Sequence, residues 1–184
     1  MKQQILFIQG GEKGAYEADA QLVVSLRSNL GTEYAIHYAR MPDKDDPDYA
    51  KWKSQIRKEL AAVKDNVILI GHSLGGSFLL KYLCEEKLRT PIAGIFLIAT
   101  PYWGGEGWRY EGYERVALPE DFASKLPSEA PIFLCHSRDD DTVPFAHLSL
   151  YAKKLPQAIV HVRDRGGHQL GNDLSEVAAD IKSL

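Results

Sequence analysis

Two kinds of apolar pattern alternate along this chain of 184 residues. Residues 5–9 form one continuous apolar run of strand length, Ile5-Leu6-Phe7-Ile8, closed by Gln9. Runs of the same kind recur at Val67-Ile68-Leu69-Ile70, at residues 92–99, at residues 131–136 and at Ile159-Val160-His161-Val162. Residues 34–38 read as a shorter, half-alternating strand. Between these runs the apolar spacing turns helical. Helices are predicted over about 17–30, over 74–85 through Leu74, Phe78, Leu79, Tyr82 and Leu83, over about 145–155 and over 174–184. Another starts after Asp48, a side chain suited to the N-cap, with Trp52, Ile56, Leu60 and Val63 on one face. Alternating strands and helices, with strands apolar throughout, predict a parallel sheet covered on both faces. The fold class is therefore α/β, a three-layer sandwich on six mostly parallel strands, in one domain spanning residues 1–184. Right-handed crossovers bring the C-terminal ends of the strands to one edge, where ligands bind.

Residues 101–130 break the rhythm, being longer than a plain crossover requires. They hold Tyr102, Trp103, Trp108, Tyr110, Tyr113 and Phe122, interleaved with Gly104, Gly105, Gly107 and Gly112. Leaving the ligand edge of a sheet, such a segment reads as a short aromatic lid or pocket wall, with Tyr102, Trp103 and Trp108 the substrate-binding candidates. The duller reading is a surface loop whose aromatics pack down on the body. Residues 41–48 read as a solvated acidic loop, because no EF-hand spacing accompanies the four acids.

Composition narrows the function. A hydrophobic content of 45% with 26% charged residues is ordinary for a soluble globular protein. A formal net charge of −3, with no block of Lys and Arg, argues against nucleic acid as a partner. No apolar stretch approaches membrane-spanning length, and the N-terminal run is too short for a signal peptide. Cys84 and Cys135 fall on core elements and are expected as reduced thiols, consistent with a cytoplasmic protein.

The strand 67–70 runs straight into Gly71-His72-Ser73-Leu74-Gly75, and a helix follows. This is G-x-S-x-G between strand and helix, the nucleophile elbow, where the turn exposes a serine above a helix N-terminus. About 0.07 such pentads are expected by chance in a chain of this composition, so Ser73 is read as a nucleophile. A serine nucleophile needs a base, and the base needs an orienting acid. After the strand 131–136 come Asp139, Asp140 and Asp141, and after the last strand comes Gly166-Gly167-His168. Two glycines leave His168 free to swing onto the serine. His37, His136, His147 and His161 lie within or beside regular elements and read as structural. His72 points away from the serine it precedes and is expected to brace the turn. The oxyanion donors are expected from the N–H of Leu74 and from the loop Gln9-Gly10-Gly11-Glu12-Lys13-Gly14, which matches no phosphate-loop pattern.

These motifs together resemble the α/β-hydrolase superfamily over nearly the whole chain, and within it the small retinoblastoma-binding-protein-9-like and YdeN-like serine hydrolases. The resemblance implies a minimal α/β-hydrolase fold, with Ser73 as nucleophile and His168 as base. The acid of that family stands four residues before a proline, so Pro144 selects Asp140. The second oxyanion donor maps to Gly11. Many relatives carry histidine where this chain has Gln9, which puts the bracing of that loop in question. The implied activity is hydrolysis of a small carboxylic ester or thioester without metal or organic cofactor. A serine peptidase is the alternative within enzymes. A weakly catalytic protein-interaction module is the alternative outside them, since the group's namesake is named for a binding partner; the protein partner itself is unknown.

Overall fold

A computed structural model of the chain describes residues 2–42, 47–63, 65–88 and 90–184. The elements follow in the order β1 (Gln3–Ile8), α1 (Ala15–Leu30), β2 (Tyr34–His37), α2 (Tyr49–Ala62), β3 (Val67–His72), α3 (Leu74–Glu85) and β4 (Ile92–Ile98). After a 3-10 turn at Tyr113–Arg115 come α4 (Phe122–Lys125), β5 (Ile132–Ser137), α5 (Ala146–Lys154), β6 (Ile159–Arg163), a second 3-10 turn at Leu170–Asn172 and α6 (Ser175–Ser183). The strands form one sheet in the order β2-β1-β3-β4-β5-β6. Every neighbouring pair is parallel, so the sheet is parallel throughout.

Successive strand side chains point to opposite faces, and an all-apolar strand therefore feeds two cores at once. Leu6, Ile8, Leu69, Leu97 and Leu134 face one layer, where Trp52 of α2, Phe78 of α3 and Tyr151 of α5 close over them. Ile5, Phe7, Ile70, Phe96 and Phe133 face the other, against Leu22 and Leu26 of α1 and Val177 and Ile181 of α6. That arrangement is the three-layer sandwich expected. The chain crosses from β1 to β2 on one side and to β3 on the other, so the C-terminal ends of β1 and β3 flank a topological switch point.

Local differences have local causes. Gly14, left-handed at φ 81°, caps α1 and starts it two residues before the expected Glu17. Asp48 does cap α2, its Oδ1 accepting the Lys51 N–H at 3.0 Å. Asp43, Lys44, Asp45 and Asp46, most of the acidic loop, lie outside the described residues. The run 159–162 is not buried on both faces: Ile159, Val160 and Val162 are exposed, because β6 is the sheet edge. Both cysteines are free, and burial pushes the Cys84 thiol up to about 11. Among the described residues no helix is long and apolar enough to cross a membrane.

Candidate active site

β3 ends at His72 and α3 begins at Leu74, leaving Ser73 alone at the turn with φ 51° and ψ −128°. A side chain at positive φ costs about 1–3 kcal/mol and persists only where its surroundings enforce it. Here the Ser73 N–H donates to the Ile98 carbonyl at 2.8 Å, and the Ser73 carbonyl accepts the Gly76 N–H at 2.9 Å. The glycines of the motif let backbone meet backbone. A Cβ on Gly71 would lie 2.4 Å from Gly76 Cα, and one on Gly75 would lie 2.2 Å from the Gln9 carbonyl oxygen. The elbow is thereby clamped between β1 and β4.

The turn after β5 carries Asp140 and the turn after β6 carries His168. His168 Nδ1 lies 2.9 Å from Asp140 Oδ2 and 3.1 Å from Oδ1. Asp140 Oδ1 also accepts the backbone N–H groups of Thr142 and Val143, each at 2.9 Å, and Oδ2 lies 3.1 Å from His136 Nε2. Burial pushes this carboxyl up, but the hydrogen bonds from His136 and His168 outweigh it and hold Asp140 well below the usual carboxylate range. An ionised Asp140 fixes Nδ1 of His168 as the protonated nitrogen and leaves Nε2 for the serine. Among the described residues Ser73 Oγ makes no hydrogen bond.

The neighbouring acids divide the work. Asp139 Oδ1 accepts the Gly167 N–H at 2.8 Å and Oδ2 the Gly166 N–H at 3.3 Å. The two glycines before His168 are therefore fastened, not free to swing as the sequence suggested; their φ values of 144° and 59° serve a fixed turn. Asp141 is exposed.

Across the switch point, Gly10 donates its N–H to Asp19 Oδ2 at 2.7 Å and is spent. The N–H groups of Gly11 and Leu74 have no hydrogen-bond partner among the described residues. The Gly11 backbone packs against the Leu74 side chain, since a Cβ on Gly11 would fall 2.0 Å from Leu74 Cδ2. Gln9 does brace its loop: its side-chain carbonyl accepts the Met41 N–H at 3.0 Å and its amide donates to the Gly10 carbonyl at 3.2 Å.

Ser73, Leu74, Gly11, Trp103 and Trp108 share the wall of a cavity of about 210 Å³. The lid thus divides. Trp103 and Trp108 meet edge to face at 5.0 Å beside the serine, whereas Tyr102 sits away from this cavity with its ring on Tyr151 at 5.0 Å, and Phe122 is fully buried. His147 clasps the lid from α5. Its Nδ1 accepts the Tyr102 N–H at 2.7 Å and its Nε2 donates to the Glu106 carbonyl at 2.6 Å. A larger cavity of about 800 Å³ between the end of α3 and α4 is lined by Cys84, Leu88 and Leu126. Its lining includes none of Ser73, Asp140 and His168, whereas the smaller cavity is lined by Ser73. Among the described residues no group of three His, Cys, Asp or Glu side chains is arranged to hold a metal.

Sequence reasoning passed over one residue of this region. Asp19 is completely buried on the apolar face of α1, in helical register with Leu22, Val23 and Leu26. A carboxylate at that position was the available signal, because a buried charge needs a partner.

A family model described as serine hydrolase matches residues 25–173. Comparison with curated protein sequences finds no match. Among solved structures, the ydeN gene product from B. subtilis superposes with a TM-score of 0.70 at 19% identity, over 100% of this chain and 98% of that one. The mouse protein named for its α/β-hydrolase domain, number 10 of its series, gives 0.69 at 19% identity, over 98% and 88%. A meta-cleavage product hydrolase from Pseudomonas fluorescens IP01 gives 0.71 at 14% identity, over 98% and 89%.

Proposed function

This chain belongs to the serine hydrolase family and has the α/β-hydrolase fold, and from that premise we propose that it cleaves a small carboxylic ester or thioester through an acyl-enzyme on Ser73. The observation that carries the reading is the joint arrangement of a strained serine at a helix N-terminus, a histidine held by a buried carboxylate, and two unpaired N–H groups beside the serine. His168 Nε2 takes the hydroxyl proton as Ser73 Oγ attacks the acyl carbon. Asp140 stabilises the imidazolium, and the N–H groups of Leu74 and Gly11 receive the oxyanion. His168 then protonates the departing alkoxide or thiolate, and in the second half takes a proton from the water that attacks the acyl-enzyme. The scheme draws on no metal or organic cofactor.

The cavity supports a small substrate. Its ~210 Å³ falls below the roughly 300–1,000 Å³ typical of pockets for drug-sized ligands, and its walls beside Ser73 are indole rings. A short apolar acyl group fits that description. The interaction-module reading draws less support: of the lid's large apolar side chains, only Tyr110 is exposed among the described residues.

Fluorophosphonate labelling, read by intact mass, tests the proposal. Wild type is expected to gain one adduct and Ser73→Ala none, with p-nitrophenyl acyl esters turned over faster than peptide anilides. An unlabelled wild-type protein of native circular dichroism sinks the hydrolase mechanism; preferred anilide cleavage would make it a peptidase.

A further inference from the structure

Behind the acid and base lies a second carboxylate and imidazole that the mechanism above does not use. Asp19 of α1 and His72, the last residue of β3, are 0% and 1% exposed. His72 Nδ1 lies 2.9 Å from Asp19 Oδ1 and 3.0 Å from Oδ2. The opposite ring nitrogen, Nε2, lies 3.0 Å from the backbone carbonyl of His168. Both nitrogens of His72 thus face acceptors. A neutral imidazole carries one N–H and would leave the other nitrogen's lone pair against an oxygen; only the doubly protonated ring satisfies both contacts. Burial pushes this imidazole down. The Asp19 charge and hydrogen bond, helped by the His168 carbonyl, push it up further and leave it above the ordinary histidine value.

Asp19 makes two other bonds, and both run to the site. Its Oδ2 accepts the Gly10 N–H at 2.7 Å, and its Oδ1 accepts the Gln169 side-chain amide at 3.0 Å. One buried pair, which includes the residue before the nucleophile, therefore touches the residue before the second oxyanion donor, the base and the residue after the base.

The geometry points to Asp19 and His72 as a permanently charged positioning pair that sets the three active loops against one another. Asp19⁻ fixes the oxyanion loop through Gly10, so that Gly11, next in the chain, presents its N–H beside Leu74. His72⁺ fixes the His168 main chain, so that a ring held by Asp140 on one side meets Ser73 on the other. Among the described residues the charged and titratable groups that face the pair are few. They are His168, with its ring centroid 4.8 Å from that of His72, Asp140 on the turn after β5, and Tyr38 after β2.

The kinetic part of this inference rests on the hydrolase reading; the charge state does not. In wild-type protein carrying ¹⁵N-labelled histidine, the His72 ring is expected to keep both nitrogens protonated across the range where free histidine titrates. A neutral His72 ring within that range overturns the proposal whether or not the protein turns anything over. Asp19→Asn is expected to lower kcat by about 10²-fold with KM little changed, because misplacing catalytic groups by an ångström costs that much. Two replacements of His72 separate its arms. A glutamine amide reaches toward the Nε2 position and the His168 carbonyl, and an asparagine amide toward the Nδ1 position and Asp19. His72→Gln should therefore retain several-fold more kcat than His72→Asn. Equal kcat in the two, or wild-type kcat in Asp19→Asn, overturns the positioning role. A wild-type protein that fluorophosphonate does not label would instead count against Ser73 as nucleophile, so the two failures are distinguishable.

Discussion

Ser73 shows how much backbone strain one turn residue carries. At φ 51° and ψ −128° it occupies a region that glycine enters freely and other residues enter at a cost of about 1–3 kcal/mol. Ala at this position would keep the strain and lose the hydroxyl, whereas Gly would lose both. In an ordinary strand or helix, replacing Ala by Gly destabilises by roughly 0.5–1 kcal/mol; here the order is expected to reverse. Ser73→Gly should melt about 2–4 °C above Ser73→Ala, and both should be inactive. A glycine variant that melts below the alanine variant would falsify the strain argument. The elbow turn at Ser73 and the turn that carries His168 were legible in sequence because the flanking glycines and the Gly-Gly-His turn are local signals. Among the three consecutive aspartates the resemblance pointed to Asp140 through Pro144, but the task of Asp139 was not legible. Only the turn after β5 decides that Asp140 faces His168 while Asp139 ties down Gly166 and Gly167.

At the scale of elements, the lid is held to α5 by a histidine that must be neutral. His147 Nδ1 accepts a backbone N–H, so a proton on that nitrogen ejects Tyr102 from its bond. Burial, the largest influence, lowers the affinity of His147 for a proton below the ordinary value of 6.5. The sign follows from linkage: the unfolded chain binds this proton more readily than the folded one. The stabilisation is therefore complete above about pH 6.5 and drains away as the pH falls below it. In His147→Asn the amide oxygen can accept the Tyr102 N–H without titrating. Melting curves taken between about pH 7 and about pH 5 should show wild type losing more stability than this variant, with the other histidines common to both. Parallel losses would remove His147 as the clasp. A long aromatic segment at the ligand edge was readable from its aromatics and glycines. Its division was not, because the turn pattern that sends Trp103 toward Ser73 and Tyr102 toward Tyr151 is set by contacts with α5, more than forty residues along the chain.

Over the whole molecule, the class of fold was legible because the middles of β1, β3, β4 and β5 are buried on both faces and so are apolar over residues 5–8, 67–70, 95–98 and 132–135. Strand order was not, since all-parallel strands carry no mark of their neighbours; nor was the pairing of Asp19 with His72, which spans 53 positions. The same long reach sets where the fold can be cut. The family match stops at residue 173, yet α6 lies beyond it and closes the face of the sheet that α1 leaves open. Leu174, Val177 and Ile181 are each at most 2% exposed there. Burying one such side chain contributes about 1.5–3 kcal/mol, so the three together supply an amount comparable with the 5–15 kcal/mol that typically separates folded from unfolded protein. A chain ending at residue 173 would retain Ser73, Asp140 and His168 while Phe96 and Phe133 lost their cover. It is expected to keep helical far-ultraviolet dichroism, lose its near-ultraviolet signal and bind hydrophobic dye, as a molten state does. Should it instead show the native near-ultraviolet spectrum and melt with the full chain, α6 would be dispensable and the second core would have to be held by α1 alone.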